Sequence, residues 1–173
     1  MDRFPKRAII LAIALVTVPA GPLGMQAWAS SWSVEAPQGS DWAEASEFGV
    51  NQNTVLLVKC TSDMAGIGLT LRDFWGTALG RTDGERYPVQ IVVRDGDGGR
   101  TKYDIGLRYD AGGKEWNTDG YDLPRSFLDV FATGVSMRFD SLRARDEIAS
   151  YRLDGSADTA RRMRQACWEQ SDD

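Results

Sequence analysis

Histidine is absent from all 173 residues, and cysteine occurs only at positions 60 and 167. Without imidazole, the Ser-His-Asp and Cys-His nucleophilic arrangements, the HExxH zinc motif and histidine-based proton transfer are all excluded. A thiol would have no imidazole to activate it, and two cysteines supply too few ligands for a structural zinc site. No Walker loop occurs, and no GxGxxG sits between a strand and a helix, so nucleotide binding has no support. After the first residues no stretch approaches the roughly 20 apolar residues that a membrane-spanning helix requires. Catalytic residues, metal ligands and a cofactor are therefore not expected, and the chain reads as a non-enzyme.

The N-terminus carries the three parts of an export signal. Arg3, Lys6 and Arg7 form a basic start, residues 8–18 are apolar, and Ala27 and Ala29 flank Trp28 in an A-x-A pattern. Signal peptidase accepts only small side chains at those two positions, so residues 1–29 are expected to be removed. No cysteine follows the apolar run to carry a lipid. The remainder, residues 30–173, is expected to be one periplasmic or secreted domain without stable membrane insertion. Loss of three basic residues and one acidic residue takes the net charge from −5 to −7. Nucleic-acid binding normally needs a basic face that displaces counterions, and here the basic residues alternate with acids. Only Arg161, Arg162 and Arg164 cluster, and they read as the wet face of a helix.

In an oxidising compartment, Cys60 and Cys167 are expected to form a structural disulfide. Such a bridge closes most of the domain into one loop, which by chain-entropy reasoning stabilises it by about 4 to 5 kcal/mol at most. Between and around the cysteines, extended segments are expected at residues 32–36, 54–60, 67–72, 89–94, 102–109, 135–139 and 148–153. The 89–94 run is almost continuously apolar, as in a strand covered on both faces, whereas 103–109 alternates. Asp95-Gly96-Asp97-Gly98-Gly99 between them is a hairpin signal, because glycine accepts the positive φ of tight turns.

Two helices are expected. One follows Asp122 as N-cap, has Pro124 in its first turn and Phe127, Leu128 and Phe131 on one face, and ends at Gly134. The other begins near Ser156, with Ala160, Met163 and Cys167 on its dry side. Residues 38–52 and the acidic tail 169–173 read as loose. This pattern is mainly β: an antiparallel β-sandwich or a curved sheet with two short helices, closed by one disulfide.

The carboxylate pairs Asp41 with Glu44, Asp95 with Asp97, and Asp146 with Glu147 read as solvated surface charge. A glycosidase would need two carboxyls at a fixed separation across a cleft. Asp95-x-Asp97-Gly98 resembles a piece of a calcium loop, but the sixth and twelfth positions are Arg100 and Gly106 instead of Gly and Glu. Of the tryptophans at 32, 42, 75, 116 and 168, most are expected in the core or its lid. Phe74-Trp75-Gly76 is the best candidate for an exposed aromatic loop, and Phe74 and Trp75 are the candidate partner-binding residues.

The order of features runs from Trp32 through the strand Leu56-Leu57-Val58-Lys59-Cys60 to Ile91-Val92-Val93-Arg94-Asp95. Glu115-Trp116-Asn117-Thr118-Asp119-Gly120, the Phe127–Leu128 helix, Tyr151-Arg152-Leu153-Asp154-Gly155 and the final Ala166-Cys167-Trp168 follow. Between Leu56 and Trp168 this order resembles the periplasmic VasI or TagO proteins, accessory factors linked to type VI secretion. The resemblance implies protein binding or assembly at the cell envelope and carries over no catalytic residue. The rival expectations are a secreted inhibitor or immunity protein that blocks an envelope enzyme with the 72–84 loop, and a carboxylate-dependent envelope hydrolase.

Overall fold

The structure is a computed structural model and describes residues 32–50 and 54–169. The expected signal peptide lies outside the described residues. In chain order the elements are β1 (Ser33–Glu35), β2 (Trp42–Phe48), β3 (Val55–Thr61), β4 (Gly66–Arg72), β5 (Arg86–Asp95), β6 (Arg100–Asp110), β7 (Glu115–Thr118), β8 (Leu123–Pro124), α1 (Phe127–Thr133), β9 (Gly134–Ser141), β10 (Glu147–Arg152) and α2 (Ser156–Cys167). All pairings are antiparallel, in the order β1-β2-β3-β4-β7-β6-β5-β9-β10, with β8 beside the start of β4. The single sheet curls into a half-barrel, so the curved-sheet expectation holds and the sandwich does not.

Inward-facing side chains follow the period of two that a pleated strand imposes. Leu56, Val58 and Cys60 on β3, Leu69 and Leu71 on β4, Val89, Ile91 and Val93 on β5 and Met137 and Phe139 on β9 are all buried. Helices α1 and α2 pack on each other; α2 also lies on β1, β2 and β3, and α1 on β5 and β9. Both faces of β5 were expected to be covered, but the helices cover only one. Val92 is nevertheless buried on the other face, where its register partners are Lys102 and Arg138, whose aliphatic stems can shield it.

The largest correction is β2, which falls within the stretch read as loose. Its inward residues are Ala43, Ala45 and Glu47, too small or too polar to register as a hydrophobic alternation. Small side chains suit this place because α2 packs directly over β2. The first helix is also shorter than expected. Its cap is Ser126, and Leu123–Pro124 form a short strand against Gly66–Ile67 instead of a first helical turn. The backbones approach so closely there that a Cβ at Gly66 would fall on the carbonyl oxygens of Tyr121 and Leu123. Gly134 does end α1, but at φ −70° and ψ 157°, an extended conformation that begins β9. Space is what requires glycine there: a Cβ would collide with the side chains of Leu153 and Val93. The 95–99 hairpin forms as expected, and Asp95 Oδ1 accepts hydrogen bonds from the backbone N–H of Asp97 at 3.0 Å and of Gly99 at 2.7 Å. That carboxylate braces its own turn.

The disulfide joins Cys60 on β3 to Cys167 at the end of α2, with a Cα–Cα distance of 6.1 Å. Ser156 at the other end of α2 donates its hydroxyl to the Phe131 carbonyl of α1 at 2.7 Å. Across the open side of the curl, the outer edge of β10 is also occupied. Val50 N–H donates to Ser150 O at 2.8 Å, and the Trp32 indole N–H donates to Arg152 O at 3.2 Å. Trp32 in turn meets Phe131 edge-on at 4.7 Å. Where β4 passes from β7 to β8, Thr118 Oγ1 accepts from Leu69 N–H and donates to Gly120 O, which keeps the split in the sheet hydrogen-bonded.

Two predictions follow from this architecture. Reduction, or Cys60→Ala, is expected to destabilise the protein by about 3 kcal/mol or more and to lower Tm by roughly 10 °C; an equal Tm in oxidising and reducing buffer would contradict it. The second concerns Tyr151, whose buried hydroxyl has no hydrogen-bond partner among the described residues. Burial, and secondarily the charge of Glu47, raise its phenol above the ordinary range. Burial first and Asp129 second also raise Tyr103. With folded values above the unfolded value, the stability from the neutral phenols is complete below about pH 10. For the buried Tyr151 it is then lost at up to about 1.4 kcal/mol per pH unit as the pH rises further, with the partly exposed Tyr103 contributing in the same direction. Tyr151→Phe should flatten this alkaline loss in denaturation curves from pH 8 to 12. At neutral pH the same variant should be as stable or about 1 kcal/mol more so, because an unsatisfied hydroxyl is removed.

Candidate functional site

The segment between β4 and β5 divides the expected aromatic pair. Phe74 is 2 % exposed and stands edge-on to Trp116 with ring centroids 5.6 Å apart, whereas Trp75 is 75 % exposed. Joint exposure of both rings, which the sequence suggested, is therefore corrected: Phe74 belongs to the core and Trp75 alone faces solvent. The loop is held at several points. Trp116 Nε1–H donates to Gly80 O at 3.0 Å, Leu79 is buried, and Gly80 lies so close to the Tyr87 ring that no Cβ would fit. Asp83 Oδ1 accepts from Ala111 N–H, and Gly84 N–H donates to Tyr109 O at 2.9 Å. At the loop's end Tyr87 Oη and Arg143 both donate to the Glu85 carboxylate, at 2.8 Å and 2.7 Å. The Arg143 bond first and the Tyr87 bond second hold that carboxyl below its usual range.

Beside Trp75 lies a cleft of about 200 Å³. Phe74, Trp116 and the half-buried Tyr109 form its aromatic floor, and Asp73, Arg81 and Lys114 give it a charged rim. The Arg81 guanidinium sits 5.3 Å from the Trp75 ring centre and 5.8 Å from that of Trp116. It also donates from Nη2 to Phe74 O at 3.0 Å. Asp73 and Lys114 have φ of 57° and 54°, left-handed values that cost a side-chain-bearing residue free energy. Two of the three such residues among the described ones thus border this cleft. Pockets that enclose a small molecule usually span about 300 to 1,000 Å³, so this one suits a single ring or side chain of a larger partner.

The remaining tryptophans separate by role. Trp32 and Trp116 are buried, Trp42 is exposed on β2, and Trp168 is half-buried beneath Arg125, whose guanidinium lies 4.5 Å from its ring centre. Asp41, Asp95, Asp97, Asp146 and Glu147 are exposed and Glu44 is half-buried, paired at 3.3 Å with Lys59. Arg161 and Arg162 are exposed on α2, while Arg164 is half-buried and paired with Asp129. Sequence reasoning named Trp75 but missed Arg81 and Lys114. Arg81 follows Gly80 in the same loop, and Lys114 ends the Gly112-Gly113 turn; neither position reveals its distance to Trp75 until β6, β7 and the loop are assembled.

Comparison of the chain with protein-family models, with curated proteins and with solved structures returns no match. The site is therefore interpreted through its own geometry.

The unequal roles of the two aromatic neighbours give a direct test. Phe74→Ala should destabilise the fold by about 3 to 5 kcal/mol through the cavity it opens beneath Trp116. Trp75→Ala should change stability by no more than about 0.5 kcal/mol. Chemical denaturation of the two variants measures both, and equal losses would show that Trp75 packs as core.

Proposed function

We propose that this chain is an exported, non-enzymatic binding or accessory domain of the bacterial cell envelope, which engages a protein partner through the cleft beside Trp75. The observation that carries the reading is the combination of a largely bare indole with an arginine 5.3 Å from its ring centre, both on a loop pinned to the core. Tryptophan and arginine are the residue types that most often dominate binding energy at protein interfaces. A pinned loop also loses little conformational freedom on association, so more of the contact energy appears as affinity. Export is supported by the N-terminal signal pattern and by the disulfide, which persists in oxidising compartments. No helix among the described residues is long and apolar enough to cross a membrane. Type VI secretion is the assembly to which the VasI or TagO resemblance points.

One observation favours a second reading, that of a secreted inhibitor or immunity protein: Trp75 protrudes as an inhibitory anchor would. Burial of Phe74 weighs against it, since the 72–84 segment is folded against the sheet and offers one ring instead of a projecting loop.

Affinity capture from an envelope extract, with mass spectrometry of the retained proteins, tests the proposal. The immobilised protein should retain a small set of envelope proteins that Trp75→Ala does not retain, secretion-apparatus components among them. Recovery of one soluble enzyme would favour the inhibitor. Capture indifferent to Trp75→Ala, or hydrolysis of an envelope polymer by the pure protein, would overturn the proposal.

A further inference from the structure

Arg81 and Lys114 differ from the other cations near them. Arg72 reaches Glu115 and Arg143 reaches Glu85, each at 2.7 Å, so these arginines are neutralised within the chain. None of the ion pairs among the described residues includes Arg81 or Lys114, although Asp73 borders the same cleft. The Arg81 guanidinium is instead fixed by two indoles and the Phe74 carbonyl. A guanidinium has five N–H donors in a planar fork, and one bond to a carbonyl leaves most of them available. Two indoles within 6 Å and the bond to Phe74 O restrict the position of the guanidinium before any ligand arrives.

We infer that Arg81, assisted by Lys114, is the anchor for a carboxylate on the protein partner, presented by a loop whose adjacent apolar side chain enters the cleft against Trp75 and Trp116. The inference rests on the reading of this cleft as the partner-binding site and names the chemistry that the site recognises. Three features select this occupant. The two cations lack internal counter-charges, which calls for an anion. A volume of about 200 Å³ above an aromatic floor admits one apolar side chain. Asp73 on the rim opposes a uniformly acidic segment, so the fit is to one carboxylate beside an apolar group, with the carboxylate directed toward Arg81.

The test is selection of a random-peptide phage library on the full processed protein, followed by titration of the synthetic consensus peptide using tryptophan fluorescence. The expected consensus places Asp or Glu next to an apolar residue. Replacing that acid by its amide in the peptide, or Arg81→Gln in the protein, should weaken binding about tenfold or more. Arg81→Lys should restore only part of it, because an ammonium can neither fork nor stack as a guanidinium does. Unchanged melting temperatures for these variants would separate recognition from folding. Selection of peptides without an acid, indifference to Arg81→Gln, or no enrichment at all would each overturn the inference. Acid-free peptides that still require Trp75 would remove the carboxylate anchor alone. Peptides indifferent to both Trp75→Ala and Arg81→Gln would remove the binding cleft as well.

Discussion

The docking of α2 inside the curled sheet is the constraint on which the rest of the structure depends. A single curved sheet buries mainly its concave face, and that face needs a cover of matching shape. Helix α2 supplies it with Thr159, Ala160, Met163 and Cys167, over the small residues Ala43 and Ala45 of β2. The helix is secured at one end by Cys60–Cys167 and at the other by the Ser156 hydroxyl on the Phe131 carbonyl. Through α1 the same cover reaches Trp32, whose indole reaches across to the outer edge of β10. That edge would otherwise present unpaired backbone groups to other chains. One helix thus fixes the curvature of the sheet and, through its partners, shields one of its edges.

The sequence was most legible where the side chains speak plainly. The cysteine pair, the long β5 and β6 strands with their Gly-rich turn, and the apolar stripe of α2 follow from composition and period alone. It was least legible where packing between distant elements decides. β2 has alanines and a glutamate on its buried face, and only the helix above it makes that pattern meaningful. Leu123 and Pro124 carry good helix-start signals, yet the close approach of Gly66 draws them into a strand pair. Local propensity is worth a few tenths to about 1 kcal/mol per residue, and tertiary contacts routinely exceed that.

The candidate site shows the same division. Phe74 and Trp75 are adjacent and chemically similar, so sequence offers no reason to separate them. The separation comes from Trp116 on β7, which meets Phe74 edge-on and holds the loop through its indole N–H to Gly80. Once Phe74 is committed to the core, the turn at Gly76 and the left-handed Asp73 direct Trp75 outward. A collision between any Cβ at position 76 and the Phe74 ring leaves glycine as the residue that fits. Burial of one ring therefore presents the other.

A cationic cleft on an acidic chain needs an electrostatic account. The whole chain carries −5, which at long range disfavours an anionic partner. At physiological ionic strength the screening length is about 8 Å, so charges beyond that distance contribute little to a contact formed at the cleft. Among the residues that line the cleft, Arg81 and Lys114 outnumber Asp73, and a contact made there is decided by these nearest charges. Net repulsion then slows encounters with acidic surfaces in general, while the local field favours the one geometry that places a carboxylate on Arg81. Discrimination of this kind needs an unfavourable background as well as an attractive site, and the composition of the chain supplies that background.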